Sequence, residues 1–452
     1  MTNDRATFGS KLGVIFASVG SAVGLGNIWR FPYETGQNGG AAFLLLYILC
    51  VVLIGLPVMT SEFFIGKYSR RNAAGAFDVL APNTKWNFIG YNGVAAAFLI
   101  LGFYSVVAGW TLEYLFQAVT GSLSGKTAAE FATDFNTFNS GIFWPIFWTG
   151  TFVALTHTII SVGVQKGIER SSKIMMPMLF IIMIILCVRS VTLPNAEIGL
   201  SFLFKPDFGK IDSSTILSAM GQAFFSLSVG MGCLITYSSY FGKSTNLQNT
   251  AATVTLLDTL VAVLSGIIIF PAVFSFGIAP TAGPELVFIT LPNVFQNLPM
   301  SSLWSTIFYL LLAIAALTST ISLHEVATAY VHEEHGLTRK RAAWIVSAGV
   351  MVLGVVSSLS FGLLKEYTIF GITFFDLLDY VTAKIMLPFG GLLVCLFVGW
   401  RIDKKILKAE LTNHGSTSFY FFTIYAFLLK YIAPIAIGLI FMNELGLFKL
   451  LK

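Results

Sequence analysis

Stretches of about 20 apolar residues, each able to cross a hydrocarbon layer of roughly 30 Å as a helix, recur from one end of the chain to the other. A chain built this way has the bilayer as its solvent, where each backbone polar group must find its partner within the protein. Only 11% of the 452 residues are charged, against roughly 25% in soluble domains, so the surface of a soluble fold cannot be assembled. The expected fold class is an all-α integral membrane protein. Spans are expected near 12–35, 41–66, 87–120, 142–163, 172–192, 213–241, 250–278, 302–334, 341–360, 374–400 and 418–445.

The basic residues lie in alternate short loops, among them Arg5, Lys67, Arg70, Arg71, Lys166, Arg170, Arg339, Lys340, Arg341, Lys404 and Lys405. Basic loops stay in the cytoplasm, so the N-terminus is expected inside and, with eleven spans, the C-terminus outside the cell membrane. The net charge of +5 is spread over these loops, so no nucleic-acid partner is expected; the lipid bilayer is. The opening residues lack the pattern of a cleavable signal peptide. Cys50, Cys187, Cys233 and Cys395 are isolated in apolar stretches and suggest neither disulfide nor zinc. Histidines such as His324, His332 and His335 have no companion ligands at metal spacing. The loop at 280–300, with Pro280, Pro284, Pro292 and Pro299, is expected to fold back as a short lid.

Two spans carry helix-loosening clusters. The first reads Ser18-Val-Gly-Ser-Ala-Val-Gly-Leu-Gly-Asn27 and the sixth Ser226-Leu-Ser-Val-Gly-Met-Gly232. Breaks there free carbonyl and amide groups for a ligand at membrane depth, although glycines in such helices also serve close packing. The clusters are five spans apart, so they occupy equivalent places in two halves of opposite orientation. Two inverted five-helix repeats, 12–192 and 213–400, with broken helices 1 and 6, and an additional helix at 418–445 describe the expected architecture.

The blocks Gly24-Leu-Gly-Asn-Ile-Trp-Arg-Phe-Pro32, Asn38-Gly-Gly40, Pro57, Glu62 and Gly221-Gln-Ala-Phe-Phe-Ser-Leu-Ser228 resemble the neurotransmitter:sodium symporter family, in its bacterial amino-acid branch with eleven spans. The resemblance implies sodium-coupled uptake of a small amino acid by alternating access, with two sodium ions and no organic cofactor. It places a first sodium ion at Ala22, Asn27, Ser226 and Asp258, and a second at Gly20, Val23, Ala315, Thr318 and Ser319. An acid at Asp258, inside the apolar run from Leu256 to Leu264, is costly without a cation or partner. In animal members a bound chloride supplies the negative charge; here Asp258 and Ala262 stand at the corresponding positions, which implies chloride independence. Tyr47 and Gln222 then back the sodium site.

The same resemblance lines the substrate pocket with Ala22, Gly24, Gly26, Ile100, Tyr104, Phe225, Ser226, Ser228, Met231, Ser319 and Leu323. Amides near Gly26 and the Tyr104 hydroxyl would meet the substrate carboxylate, and freed carbonyls its ammonium. No pocket residue is charged, so a neutral side chain is expected. Met231 replaces a phenylalanine of the family's leucine transporter, and its deformable thioether suits large hydrophobic or aromatic side chains. Gly24, where monoamine carriers have an aspartate, argues against monoamines.

Arg30 with Asp379 resembles the family's outer gate pair, and Arg5 with Glu333 the inner one. Phe8 stands where relatives often have tryptophan. Gly167 and Pro177 frame the start of the fifth span, where similar members unwind. Two readings stay open beside this one: a proton-driven transporter on the same inverted-repeat fold, and a receptor that binds amino acids without moving them. An enzyme is not expected, because no nucleophile with a base is found within the spans.

Overall fold

The computed structural model describes residues 5–277 and 286–447, and within them it is helical, with no strand. Among the described residues, nine continuous apolar helices are long enough to cross a bilayer: Ala41–Ser69, Asn87–Thr120, Phe143–Val162, Val164–Val191, Leu247–Ser275, Ser301–Glu334, Arg339–Leu359, Phe374–Arg401 and Phe422–Glu444. A tenth span is a bent pair, Lys11–Ala22 and Gly26–Gln37, turned by 54°. The sixth span of the sequence reading is split into Ser213–Ser226 and Cys233–Ser238, each too short to cross alone. Counted through its two broken members, the architecture has the eleven spans expected.

Local chemistry fixes where each broken helix starts. Ser10 begins the first by accepting a hydrogen bond from the Gly13 amide at 3.0 Å, the ordinary way to satisfy a free helix N-terminus. Asp212 begins the sixth, accepting from the Thr215 amide at 2.7 Å, with Thr215 reaching back to the Asp212 amide. The sixth helix stops where the backbone turns left-handed at Ser228 (φ 54°), Gly230 (φ 85°) and Gly232 (φ 74°). Glycine tolerates that region and serine does so reluctantly, so the conformation is held by tertiary bonds: Gly230 donates to Glu62 at 2.6 Å, and Ser228 to the Ser21 carbonyl at 2.8 Å. The latter bond ties the two breaks together.

The third span runs through the middle of the molecule against the fourth, eighth and ninth. The first half of the first span, Lys11–Ala22, packs on the fifth, seventh and eighth, and the two halves of the sixth lie along the second. The breaks therefore face one another in the interior, enclosed by continuous helices.

The fifth span begins at Val164 rather than near 172, because Gly163, with φ 109°, reverses the chain immediately after the fourth span. Gly167 and Pro177 thus both lie within the fifth span. The segment 121–141 contains a helix, Ala128–Ser140, started by Thr127 and Glu130. Pro280 and Pro284 lie outside the described residues. The rest of that loop is helical from Leu286 to Gln296 and packs inward, with Phe288 stacked 5.6 Å from Phe135 and the Val287 carbonyl accepting from the Tyr309 hydroxyl at 2.9 Å.

Candidate functional site

Where the two breaks meet lies a cavity of about 50 Å³. All eleven residues expected to contact a substrate line it: Ala22, Gly24 and Gly26 from the first span, Ile100 and Tyr104 from the third, Phe225, Ser226, Ser228 and Met231 from the sixth, and Ser319 and Leu323 from the eighth. Ser21 and Ser322 line it too, and sequence reasoning passed over both. Ser322 follows Ser319 by three positions, so helical spacing alone puts it on the same face; Ser21 precedes Ala22 at the break.

The cavity is shaped by small residues as much as by large ones. A methyl group on Gly26 would stand 2.9 Å from the Phe225 ring, and one on Gly24 would run into the Ser319 hydroxyl. Both glycines are needed for the first span to approach the sixth and eighth. The Tyr104 hydroxyl accepts from the Leu25 amide at 3.2 Å, which points the phenol at the break. No side chain lining the cavity is charged.

Beside the cavity Asn27, Ser226 and Asp258 close on one another, all fully or almost fully buried. Asn27 Nδ2 donates to Asp258 Oδ1 at 2.8 Å and to Ser226 Oγ at 2.9 Å, and Ser226 donates to Asp258 Oδ2 at 2.7 Å. Asn27 Oδ1 accepts from the Gly24 amide at 3.1 Å. Tyr47 reaches Ser226 at 3.2 Å, and Gln222 donates to the Gly26 carbonyl at 3.2 Å. Among the described residues no basic side chain bonds to Asp258, so this buried acid has no protein cation beside it. A small cation meets the chemistry of this donor set: one carboxylate, an amide oxygen and a hydroxyl, with Ala22 lining the adjoining cavity.

A second cluster gathers between the first and eighth spans. The Val23 carbonyl accepts from Ser319 at 3.2 Å and from Thr318 at 3.4 Å, and Thr318 also donates to the Ala315 carbonyl at 2.9 Å. Gly20 lies against the same threonine: a methyl there would stand 3.3 Å from Thr318 Cβ. The five residues expected at a second ion are therefore neighbours, and all of their oxygens are neutral.

Above the cavity the Arg30 guanidinium sits 4.4 Å from the centre of the Phe225 ring, a cation held against an aromatic face. Arg30 does not pair with Asp379. Its carboxylate neighbour is Glu34, one turn along the same helix at 3.7 Å. Below, Arg5 pairs with Glu333, as expected. Arg5 also donates to Ser239 at 2.9 Å and lies 4.6 Å from the centre of the Tyr240 ring. Phe8 anchors the same segment edge-on to Tyr237 and Tyr240, each 6.0 Å away. Glu169, missed in the sequence, completes the tether: it accepts from the Gly9 amide at 2.7 Å and from Ser10 at 2.9 Å, and pairs with Lys173 at 2.6 Å.

Residues 5–141 and 139–452 match the Sodium:neurotransmitter symporter family. The chain belongs to that family. An uncharacterized sodium-dependent transporter of Bacillus subtilis is 41% identical over 97% of both chains, and one of Haemophilus influenzae is 38% identical over 98% of both. The solved structure of MhsT in complex with L-phenylalanine covers 97% of this chain and 100% of its own, at 45% identity and a TM-score of 0.90. The fold is that of a sodium:neurotransmitter symporter, and a member of this family is a multi-pass membrane transporter coupled to sodium, not an enzyme.

Proposed function

We propose that the chain imports a neutral L-amino acid with a large hydrophobic or aromatic side chain, together with two sodium ions, by alternating access and without chloride. The observation that carries this reading is the uncharged cavity at the meeting of two helix breaks, with an uncompensated carboxylate, Asp258, beside it. Backbone amides and the Tyr104 hydroxyl answer a substrate carboxylate, and the carbonyls of Ala22, Phe225, Ser226 and Ser228 answer its ammonium. Ile100, Phe225, Met231 and Leu323 leave an apolar space for the side chain. The L-phenylalanine in MhsT supports the size of that side chain.

Sodium enters at the two clusters. The first has a full negative charge at Asp258, which takes the part a chloride ion would otherwise play, and the second offers only carbonyls and hydroxyls. Coupling requires that sodium bind the outward- and inward-facing states differently, and the second cluster meets that need because it joins the broken first span to the continuous eighth, Val23 to Thr318 and Ser319. Spans 1, 2, 6 and 7 rock as a bundle within two inverted repeats, 12–192 and 213–400, with 418–445 outside them. The N-terminus is cytoplasmic and the C-terminus extracytoplasmic. Arg30 over Phe225 closes the outer side and Arg5 with Glu333 the inner side, while Asp379 is free to take Arg30 in another state of the cycle.

The substrate class is tested by competition against bound radiolabelled L-phenylalanine in sodium, with purified protein in detergent. Tyrosine, tryptophan and leucine should displace it, and glycine, glutamate, lysine and dopamine should not. Displacement by a charged amino acid or a monoamine at comparable concentration contradicts the reading.

A further inference from the structure

On the periphery of the protein, with none of the cavity or ion-cluster residues in its walls, a groove of about 360 Å³ runs between the third and tenth spans. Phe88, Ile89, Phe389 and Leu393 wall it, and Lys85 and Trp86 stand at one end. Phe88 is 56% exposed despite lying in an apolar span, and its ring centre is 6.1 Å from that of Phe389. The end is sealed by Trp86 packing 5.3 Å from Phe397.

The charge at that end is unbalanced. Lys67 and Arg71 are answered by Glu410 and Glu334, each at 2.9 Å. Lys85, by contrast, is exposed and has no carboxylate partner among the described residues. Arg401, at the end of the tenth span, is likewise exposed without a carboxylate partner among the described residues, and half-buried Lys430 has none either. Lys430 lies within the eleventh span, its ammonium 4.1 Å from the Trp400 ring centre and 5.6 Å from that of Tyr431. A lysine that starts in an apolar helix and lays its stem along aromatic rings carries its charge toward the polar boundary of the membrane.

We propose that this groove is a binding site for an anionic glycerophospholipid, with an acyl chain between Phe88, Phe389 and Leu393 and the phosphate against Lys85. An apolar body with a cation at one end matches both halves of such a molecule. A free anion gains nothing from the four apolar walls. A second copy of the chain laid over the groove would bury Lys85 without a partner, which is strongly unfavourable. Basic pockets between membrane helices bind lipid headgroups by this combination of charge and apolar contact. Arg401 and Lys430 extend the positive field past the tenth span. Occupancy braces the tenth span against the third, the two spans that carry Asp379 and Tyr104.

Native mass spectrometry of the full chain in detergent, titrated with equal amounts of phosphatidylglycerol and phosphatidylcholine, tests the site. The protein should retain phosphatidylglycerol preferentially. Lys85→Ala should cut that preference roughly fivefold, the scale of one surface cation acting on an anionic lipid. Leu393→Trp, which fills the groove, should lower retention of both lipids, and Lys166→Ala, at an exposed lysine elsewhere, should change neither. Binding of L-phenylalanine by Lys85→Ala checks that the variant is folded. Equal retention by all four proteins overturns the proposal. So does displacement of the lipid by millimolar inorganic phosphate, or a groove variant that alters only the dimer fraction.

Discussion

Replacing Asp258 by asparagine removes one charge and keeps the side chain's shape, so it asks whether that charge binds sodium. The carboxylate is fully buried and takes a hydrogen bond on each oxygen, from Asn27 at 2.8 Å and Ser226 at 2.7 Å. Asparagine can accept on one side only; the other presents a donor to Asn27 or Ser226. A hydrogen bond to a charged group is worth about 1.5–3 kcal/mol, and a unit charge about 4 Å from a sodium ion contributes up to about 4 kcal/mol at an effective dielectric of about 20. Against these stands the relief of no longer burying an acid inside an apolar span, which is itself several kcal/mol. The balance expected is about 2 kcal/mol against sodium binding, or roughly a 30-fold rise in the sodium concentration that half-saturates uptake. The assay is initial uptake of labelled L-phenylalanine into proteoliposomes over a sodium series in chloride-free gluconate. Monodisperse elution in detergent and substrate binding at saturating sodium exclude misfolding. The reasoning is refuted if Asp258→Asn keeps the wild-type sodium dependence without chloride.

Three further outcomes follow from the geometry. Arg5→Ala leaves Glu333 with Asn72 and Arg71 but frees the N-terminal segment. Since the pair is largely but not wholly buried (10% and 18% exposed), a cost of about 1–3 kcal/mol is expected. It should appear as amide exchange at least about 5-fold faster over residues 8–22, with less substrate accumulated; unchanged exchange would detach Arg5 from closure. Met231→Phe fills part of the cavity with a rigid ring, so competition binding should shift from tryptophan and tyrosine toward leucine; an unchanged ranking would mean that Met231 does not set size. Asp212 lies outside the spans, and hydrogen bonds from the Thr215 amide first, then the Ser214 and Thr215 hydroxyls, lower its carboxyl pKa to about 2. A lowered pKa means that the cap's contribution is complete above the unfolded value of about 3.9 and is lost as pH falls toward the folded one. Protection of amides 213–216 should hold from neutral pH to about 4 and decline below it, whereas Asp212→Ala should lack that protection at every pH; a flat profile in wild type would show that the cap does not hold the helix start.

The spans and the two breaks were legible in the sequence because each leaves a local mark, apolar length or clustered glycine, and the eleven cavity residues came from the resemblance that the motifs between Gly24 and Ser228 carry. What escaped depends on contacts between distant segments. Glu169 reads as one more loop acid until the fold brings Gly9 and Ser10 to it across some 160 positions. Arg30 was matched to Asp379 by position, yet Glu34 is one turn away on its own helix, and no spacing rule states which carboxylate it chooses in a given state. The early start of the fifth span hid behind polar residues, Gln165, Lys166 and Glu169, that break the apolar run while the helix continues. Ser21 and Ser322 were passed over because small hydroxyl residues are common inside such helices, where they often bond back to their own backbone. Ser322 does so, to the Ser319 carbonyl at 2.9 Å.

The central claim is that a sodium gradient drives an amino acid uphill through this chain. Accumulation of labelled L-phenylalanine in chloride-free proteoliposomes, with and without the sodium ionophore monensin, tests it most directly. An inward sodium gradient should raise internal substrate above the external concentration, and monensin should abolish that excess. Accumulation that persists after the sodium gradient is collapsed, or binding that never leads to accumulation, would contradict it.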